Sequence, residues 1–215
     1  MSTTIESGPL KYAQLAPLPP EGEIHLYDFF PKVGDIEIEI GTGRGMFLIE
    51  RARIASNAYI LGIEIKKKWA YKVSQRCARE GIDRVRIVSG DARAILPRIS
   101  PAMSVRRIYF HFPDPWWKKR HAKRRLFGSD LIKDCLRLLK PGGELFVQTD
   151  VEERAREYAA CIANFSELFL DADKGLRFEN PYGARSNRER RAEEDGIPIF
   201  RILAVKSMRA SGGDL

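Results

Sequence analysis

Ile36-Glu37-Ile38-Glu39-Ile40-Gly41-Thr42-Gly43-Arg44-Gly45 is a β-branched run that passes directly into a glycine turn. Isoleucine at every second position suits a strand, and three alternate glycines let the backbone turn tightly and approach a ligand closely as a helix opens. Strand, glycine turn and helix in that order begin a βαβ unit. Outward from it, further short strand-like runs lie at residues 59–65, 85–88, 108–112 and 144–148, each bounded by Gly, Asp or Pro. Amphipathic segments at 45–55, 67–79, 92–99, 128–139 and 152–164 read as helices, the fourth followed by Lys140-Pro141-Gly142-Gly143, a helix stop and a turn. This alternation predicts an α/β fold with a parallel sheet. In the last third, a weak run at 176–178 and an apolar run at 197–205 flank a charged stretch at 184–195. With no room read for a crossover helix, the pattern predicts a C-terminal antiparallel hairpin. Phe165, Leu168, Phe169 and Leu170 read as core at helical or turn spacing.

The chain has 215 residues, 44% hydrophobic and 31% charged, which fits one globular domain and excludes a disordered composition. Residues 1–30 hold Pro9, Pro17, Pro19 and Pro20 and read as an N-terminal arm, 31–207 as the folded domain, and 208–215 as a flexible tail. Three widely spaced cysteines, Cys77, Cys135 and Cys161, form no CxxC pair and predict reduced thiols buried on helices in a cytoplasmic protein. No apolar run reaches the roughly 20 residues of a bilayer span. The 37 Lys and Arg against 29 Asp and Glu leave a net charge of +8, which points to an anionic partner, nucleic acid before a membrane surface. His25 and His111 read as structural, because no Cys, His and acid cluster has metal-ligand spacing.

The acids sort the cofactor classes. Glu64, at the end of the second strand candidate, suits a ribose diol, as in any adenosine cofactor. Glu39 beside the turn repels a pyrophosphate and favours a sulfonium ligand with an ammonium group, so S-adenosylmethionine is expected over a nicotinamide dinucleotide. Asp91, after the third strand, is placed to meet an adenine amino group and equally to cap the helix that starts at Ala92.

The fourth strand ends in Phe110-His111-Phe112-Pro113-Asp114-Pro115-Trp116-Trp117, followed by residues 118–125, of which six are Lys or Arg. Ligands of open parallel sheets bind beyond the carboxyl ends of the strands, which puts Asp114 at the reaction centre. The two prolines restrict the backbone on either side of its carboxylate. Adjacent tryptophans with a basic run suit an unstacked nucleotide through stacking and phosphate neutralisation, although such runs also serve as plain solvated faces.

Taken together, Glu39-Ile40-Gly41-Thr42-Gly43-Arg44-Gly45, Gly62-Ile63-Glu64-Ile65, Gly90-Asp91-Ala92, the block from Phe112 to His121 and Gln148-Thr149-Asp150 resemble the bacterial tRNA (guanine-N7)-methyltransferase family, in order and spacing, from about residue 35 to 206. The resemblance implies a class I methyltransferase Rossmann-like fold with a seven-stranded, mostly parallel sheet and helices on both faces. It implies S-adenosylmethionine as cofactor, tRNA as partner and methyl transfer to guanosine 46 of the variable loop, with neither metal nor membrane and as a monomer or homodimer. By matching positions, Glu39, Gly41, Gly43, Gly45, Glu64, Asp91 and Asp114 would serve the cofactor, with Asp114 also catalytic. Lys118 and Asp150 would meet the guanosine, and Arg120, His121, Lys123, Arg124 and Arg125 the RNA. Two departures stand out: Trp117 replaces the family's usual proline, and the family's Thr-x-x-Glu appears as Ser186-Asn187-Arg188-Glu189. Ser186 and Glu189 keep the hydroxyl and carboxylate and are carried over as substrate-binding residues, although the surrounding mix of Arg and acid also fits an exposed, salt-bridged loop. The runner-up activity is an exocyclic-amine methyltransferase acting on another base, because Asp114-Pro115-Trp116 resembles the Asp-Pro-Pro-aromatic motif of those enzymes without its second proline.

Overall fold

A computed structural model describes residues 15–113, 127–171 and 175–208. Elements in chain order are β1 (Ile24–His25), β2 (Asp35–Ile40), α1 (Met46–Ile54), β3 (Ala58–Glu64), α2 (Lys67–Arg79), β4 (Val85–Ser89), α3 (Ala92–Ile95), β5 (Ile99–Ser100), β6 (Val105–His111), α4 (Ser129–Leu138), β7 (Leu139–Thr149), α5 (Glu152–Ala163), β8 (Leu168–Leu170), α6 (Asn187–Glu194) and β9 (Phe200–Lys206). Seven strands form one sheet in the order β4-β3-β2-β6-β7-β9-β8. The pairings from β4 through β7 are parallel, and β9 runs antiparallel to both β7 and β8. The chain builds outward from β2 through β3 to β4, then returns to add β6 and β7 on the other side. Its topological switch point therefore lies between β2 and β6, where open α/β sheets bind ligands.

Side chains alternate across the sheet. Ile36, Ile38 and Ile40 of β2 join Ile95, Leu131, Ile132 and Tyr158 in the larger core, while Ile60 of β3 and Ile87 of β4 pack with Leu48, Ile49 and Val73 from α1 and α2. Glu37 and Glu39, on the other face of β2, are as buried as the isoleucines, at 0% and 1% exposure. Glu37 is satisfied: Arg51 donates to it through two nitrogens (2.9 and 2.8 Å), Arg107 through one (2.9 Å) and the Tyr109 hydroxyl at 2.9 Å. Glu39 is not.

Phe169, expected in the core, is 60% exposed, and four expectations about elements and boundaries change. The outer hairpin strand is Leu168–Leu170, not residues 176–178, where only an isolated bridge joins Arg177 to Arg201. Three residues are too short a run to show strand periodicity against the preceding helix. The charged stretch at 184–195 contains a helix, α6, started by a reciprocal capping box in which Ser186 Oγ accepts from Glu189 N at 3.1 Å and the Glu189 carboxylate accepts from Ser186 N at 3.2 Å. Residues 140–143 continue β7 through an irregularity in its pairing with β6, Gly142 taking a φ of +71°, instead of ending in a free turn. Finally, the chain enters the core before residue 31. Ile24, Leu26 and Phe30 are at most 3% exposed, and β1 pairs with β5. All three cysteines lie on helices, Cys77 and Cys135 buried and Cys161 half-buried.

Candidate active site

A cavity of about 570 Å³ opens at the carboxyl ends of β2, β6 and β7, at the switch point. Its wall takes Glu39, Gly41 and Gly43 from the β2 end, His111, Phe112 and Pro113 from the β6 end, Thr149 and Asp150 after β7, and Ser186 to Arg188 at the start of α6. Of the sequence-predicted residues, the structure brings Glu39, Gly41, Gly43, Asp150 and Ser186 to this wall. Asp114, Lys118, Arg120, His121, Lys123, Arg124 and Arg125 lie outside the described residues.

Glu39 lies at the centre of the arrangement. Among the described residues its Oε2 is buried with no hydrogen-bond partner, and burial, with the nearby Glu64 adding to it, raises its carboxyl well above the usual range. An ionised carboxylate held this way is costly unless a cation reaches it. His111 faces it, with Nε2 3.9 Å from Glu39 Oε1 and likewise unpartnered. The imidazole tautomer follows from its neighbours. Gln148 Oε1 accepts from Arg201 Nε (3.1 Å), so its amide hydrogens go to Glu189 Oε2 (2.9 Å) and to His111 Nδ1 (2.8 Å). Glu189 stays ionised. Although burial opposes it, four hydrogen bonds from Gln148, Asn180, Arg201 and the Ser186 backbone bring its pKa below the usual carboxyl value. Nδ1 of His111 must then accept, which assigns the ring proton to Nε2, facing Glu39. Burial also lowers the imidazole to about 4, so this neutral form holds at physiological pH.

The glycines divide by role. At Gly41 and Gly43, with φ of +77° and +53°, no described residue lies within 4 Å of where a Cβ would stand. Gly45 differs: with φ of +74° it faces Val73, whose Cγ1 would lie 2.5 Å from a Cβ. It seats the turn on α2. Glu64 holds the same turn, its two oxygens accepting from Gly43 N (2.8 Å) and Lys66 N (2.9 Å). Asp91 takes its capping role, accepting from Arg93 N at 2.9 Å and pairing with the Arg93 side chain. Asp150 is ion-paired with Arg188, the Arg188 Nε standing at 3.0 Å. Glu189 lies beneath the wall, both oxygens occupied by Gln148, Asn180, Arg201 and the Ser186 backbone.

Sequence reasoning missed several wall residues. His111 reads as structural, Thr42 stands inside the glycine motif without a role assigned to it, and Phe47 and Arg154 carry no motif signal. Phe112 has a φ of +52° between His111 and Pro113, a strained conformation for an aromatic residue. Its N–H bonds Gln148 O at 2.7 Å, and the Tyr158 hydroxyl donates to Pro113 O at 3.2 Å, so both flanks of the strained residue are fixed.

The residues present fit a cationic, adenosine-type cofactor: a buried carboxylate with one oxygen unpartnered among the described residues, two glycines with open space before them and an acid at the second strand end. Among the described residues no group of His, Cys, Asp and Glu is arranged to hold a metal ion.

The family model described as "Putative methyltransferase" matches residues 34–202. The tRNA (guanine-N(7)-)-methyltransferase of Anaeromyxobacter dehalogenans is 40% identical over 177 residues, covering 81% of this chain and 87% of the relative. The enzyme of the same name from Myxococcus xanthus is 32% identical over 176 residues, covering 80% and 84%. Among solved structures, the 16S rRNA methyltransferase KamB superposes with a TM-score of 0.62 at 17% identity, covering 85% of this chain and 92% of that one. An S-adenosylmethionine-dependent O-methyltransferase from Thermotoga maritima gives 0.56 at 19% identity, covering 87% and 64%. At those identities the structures speak for the fold, that of S-adenosylmethionine-dependent methyltransferases, whereas the sequence relatives speak for descent: the chain belongs to the tRNA (guanine-N7)-methyltransferase family.

Proposed function

We propose that this protein methylates N7 of a guanosine in tRNA, position 46 of the variable loop, with S-adenosylmethionine as donor. The observation that carries the reading of the site is the buried Glu39 carboxylate on the cavity wall at the β2/β6 switch point, whose Oε2 has no hydrogen-bond partner among the described residues. The bound cofactor supplies a methyl group on a positively charged sulfur together with an ammonium group. Glu39 meets that ammonium charge, and the neutral His111 faces the carboxylate from 3.9 Å without adding a competing charge. Glu64 is assigned to the ribose diol, which its oxygens can accept from while still holding Gly43 and Lys66. Asp91 is assigned to the adenine edge.

Guanine N7 carries an in-plane lone pair and no proton, so no general base has to act before or during transfer. Positioning and charge stabilisation carry the catalysis. Asp114 and Asp150 suit a purine that turns from neutral to cationic, and their oxygens can accept from the guanine N1–H and N2 amino groups. Arg188 holds Asp150 until the base arrives, and Ser186 adds a hydroxyl at the same wall. Glu189 serves by position: it caps α6 through Ser186 and orients Gln148. Lys118 is assigned to the guanosine and residues 120–125 to the RNA backbone. N7 faces the deep, narrow major groove of A-form RNA, so the target must be looped or unstacked.

Asp114→Asn tests the assignment of the reaction centre. Turnover on unmodified tRNA is expected to fall by at least a hundredfold, within the range of a lost charge-stabilising group. Affinity for S-adenosylhomocysteine, followed by calorimetry, is expected to persist. Full turnover in this variant would remove Asp114 from the chemistry.

A further inference from the structure

A second cavity of about 300 Å³ lies beside the first, bordered by Arg44, Trp69, Lys72, Gln75, Arg76 and Arg79. Arg44 borders both. Trp69, Lys72, Arg76 and Arg79 follow a spacing of i, i+3, i+7 and i+10 and so form one stripe along α2, about 15 Å long at 1.5 Å per residue. The half-buried Trp69 ring sits near the turn end of the stripe, with the Arg44 guanidinium 5.5 Å and Lys72 Nζ 5.1 Å from its centroid. Gly45 brings these together, since only without a Cβ can the turn rest on Val73 and carry Arg44 over Trp69.

The charge in the first half of α2 is arranged against the helix's own stability, while Arg76 and Arg79 stand in the last turn, where the dipole favours cations. Lys67–Arg79 contains five cations and no acid. Lys66 at the N-cap makes no capping bond, and Lys67 and Lys68 stand in the first turn, where the helix dipole favours negative charge. Lys68 with Lys72, and Lys72 with Arg76, are like-charge pairs four residues apart, which also destabilise. Among the described residues, Lys68 and Lys72 have no ion-pair partner. Arg76 is paired with Glu80 at 2.7 Å. Because α2 follows β3, its unfavourably charged end stands at the same sheet edge as the methyl-transfer cavity.

We propose that this stripe is a docking surface for RNA, taking the strand that flanks the target nucleotide, with a base or ribose against Trp69 and phosphates along Lys68, Lys72 and Arg79. It rests on the functional reading above. Aromatic planes beside cations suit a nucleotide out of helical stacking, and an all-cationic face complements a phosphate chain. Occupation by RNA relieves the repulsion that the empty helix carries.

The test uses the full chain and an unmodified tRNA transcript, comparing wild type with Lys68→Gln/Lys72→Gln. Binding is measured by filter retention across salt concentrations, alongside S-adenosylhomocysteine affinity and thermal melting. Losing two phosphate contacts is expected to flatten the slope of log K against log salt by about 1.5 and to weaken tRNA binding about tenfold near physiological salt. The same variant should melt no lower than wild type and bind S-adenosylhomocysteine within about twofold, which neither a structural role nor a cofactor role would allow. Trp69→Leu should weaken tRNA binding with the salt slope intact, separating stacking from charge. If wild type methylates tRNA but Lys68→Gln/Lys72→Gln leaves slope and affinity unchanged, the docking surface is wrong and the activity stands. A loss of S-adenosylhomocysteine affinity in step with tRNA also overturns it, by making the stripe part of the cofactor site. A wild-type protein that binds no tRNA overturns both readings.

Discussion

Glu39 stores a cost that a ligand removes. Its carboxyl is raised by burial and by Glu64, so near neutral pH the folded, ligand-free protein either keeps the proton or strains to lose it. For an acid with a raised folded value, stability is fully present below the unfolded value and is lost as pH rises through the folded one. Glu39→Gln, permanently neutral, should therefore melt higher than wild type at pH 8 while losing most of its affinity for S-adenosylhomocysteine. Calorimetry and thermal melts together check the opposed signs, and a lower melting point with intact affinity would make Glu39 a structural residue. In wild type the same affinity should fall as pH falls, because protonating Glu39 removes the partner proposed for the ammonium group. His111 works in the opposite sense. Its imidazole, lowered to about 4, stays neutral in the fold while the unfolded chain takes up a proton near 6.5. Stability is then expected to fall between pH 6.5 and 4, by at most about 3 kcal/mol from this residue. His111→Asn should flatten that part of a pH–stability curve measured by urea unfolding.

At the level of elements, the glycine turn separates ligand space from packing. Gly45→Ala forces a left-handed backbone on alanine and drives a Cβ into Val73, and should cost about 2–5 kcal/mol in urea unfolding. Gly43→Ala meets no neighbour, so its stability cost should stay near the 1–2 kcal/mol of the backbone alone. Its added methyl faces the cavity, and S-adenosylhomocysteine affinity should drop instead. The reverse pattern would exchange the two roles. Elements were legible in the sequence where local signals agree: residues 67–79 match α2 end to end, and β2 and its turn lie where alternating isoleucines and glycines place them. Leu168–Leu170 was not legible, because its strand character comes from pairing with β9 more than 30 residues later. Nor was α6, whose charged sequence has no apolar stripe and is held by its capping box, by Glu189 bonds to β7 and β9, and by Arg188 and Arg190 to Asp150 and Glu50. Glu189 read as a surface residue or substrate ligand for the same reason: its burial is set by Gln148 and Arg201, both distant in sequence or looking ordinary there.

For the whole molecule, the sheet order puts the cavity where the chain changes direction; the βαβ rhythm of the sequence carried a parallel α/β sheet, whereas the seven-stranded arrangement was implied by the family resemblance. The domain boundary was the weaker inference. A chain starting at residue 31 would lack Ile24, Leu26 and Phe30, each worth about 2–5 kcal/mol as a buried large side chain, and is expected not to fold, as circular dichroism would show. The +8 charge is likewise distributed unevenly, with α2 contributing five cations and no acid. The central claim concerns the base and the atom that receive the methyl group. Incubating the protein with S-adenosylmethionine and an unmodified tRNA transcript, then digesting to nucleosides and identifying the product by mass spectrometry, should yield 7-methylguanosine, mapped by fragment analysis to the variable loop. N6-methyladenosine, another exocyclic-amine product or no methylated nucleoside at all would contradict it.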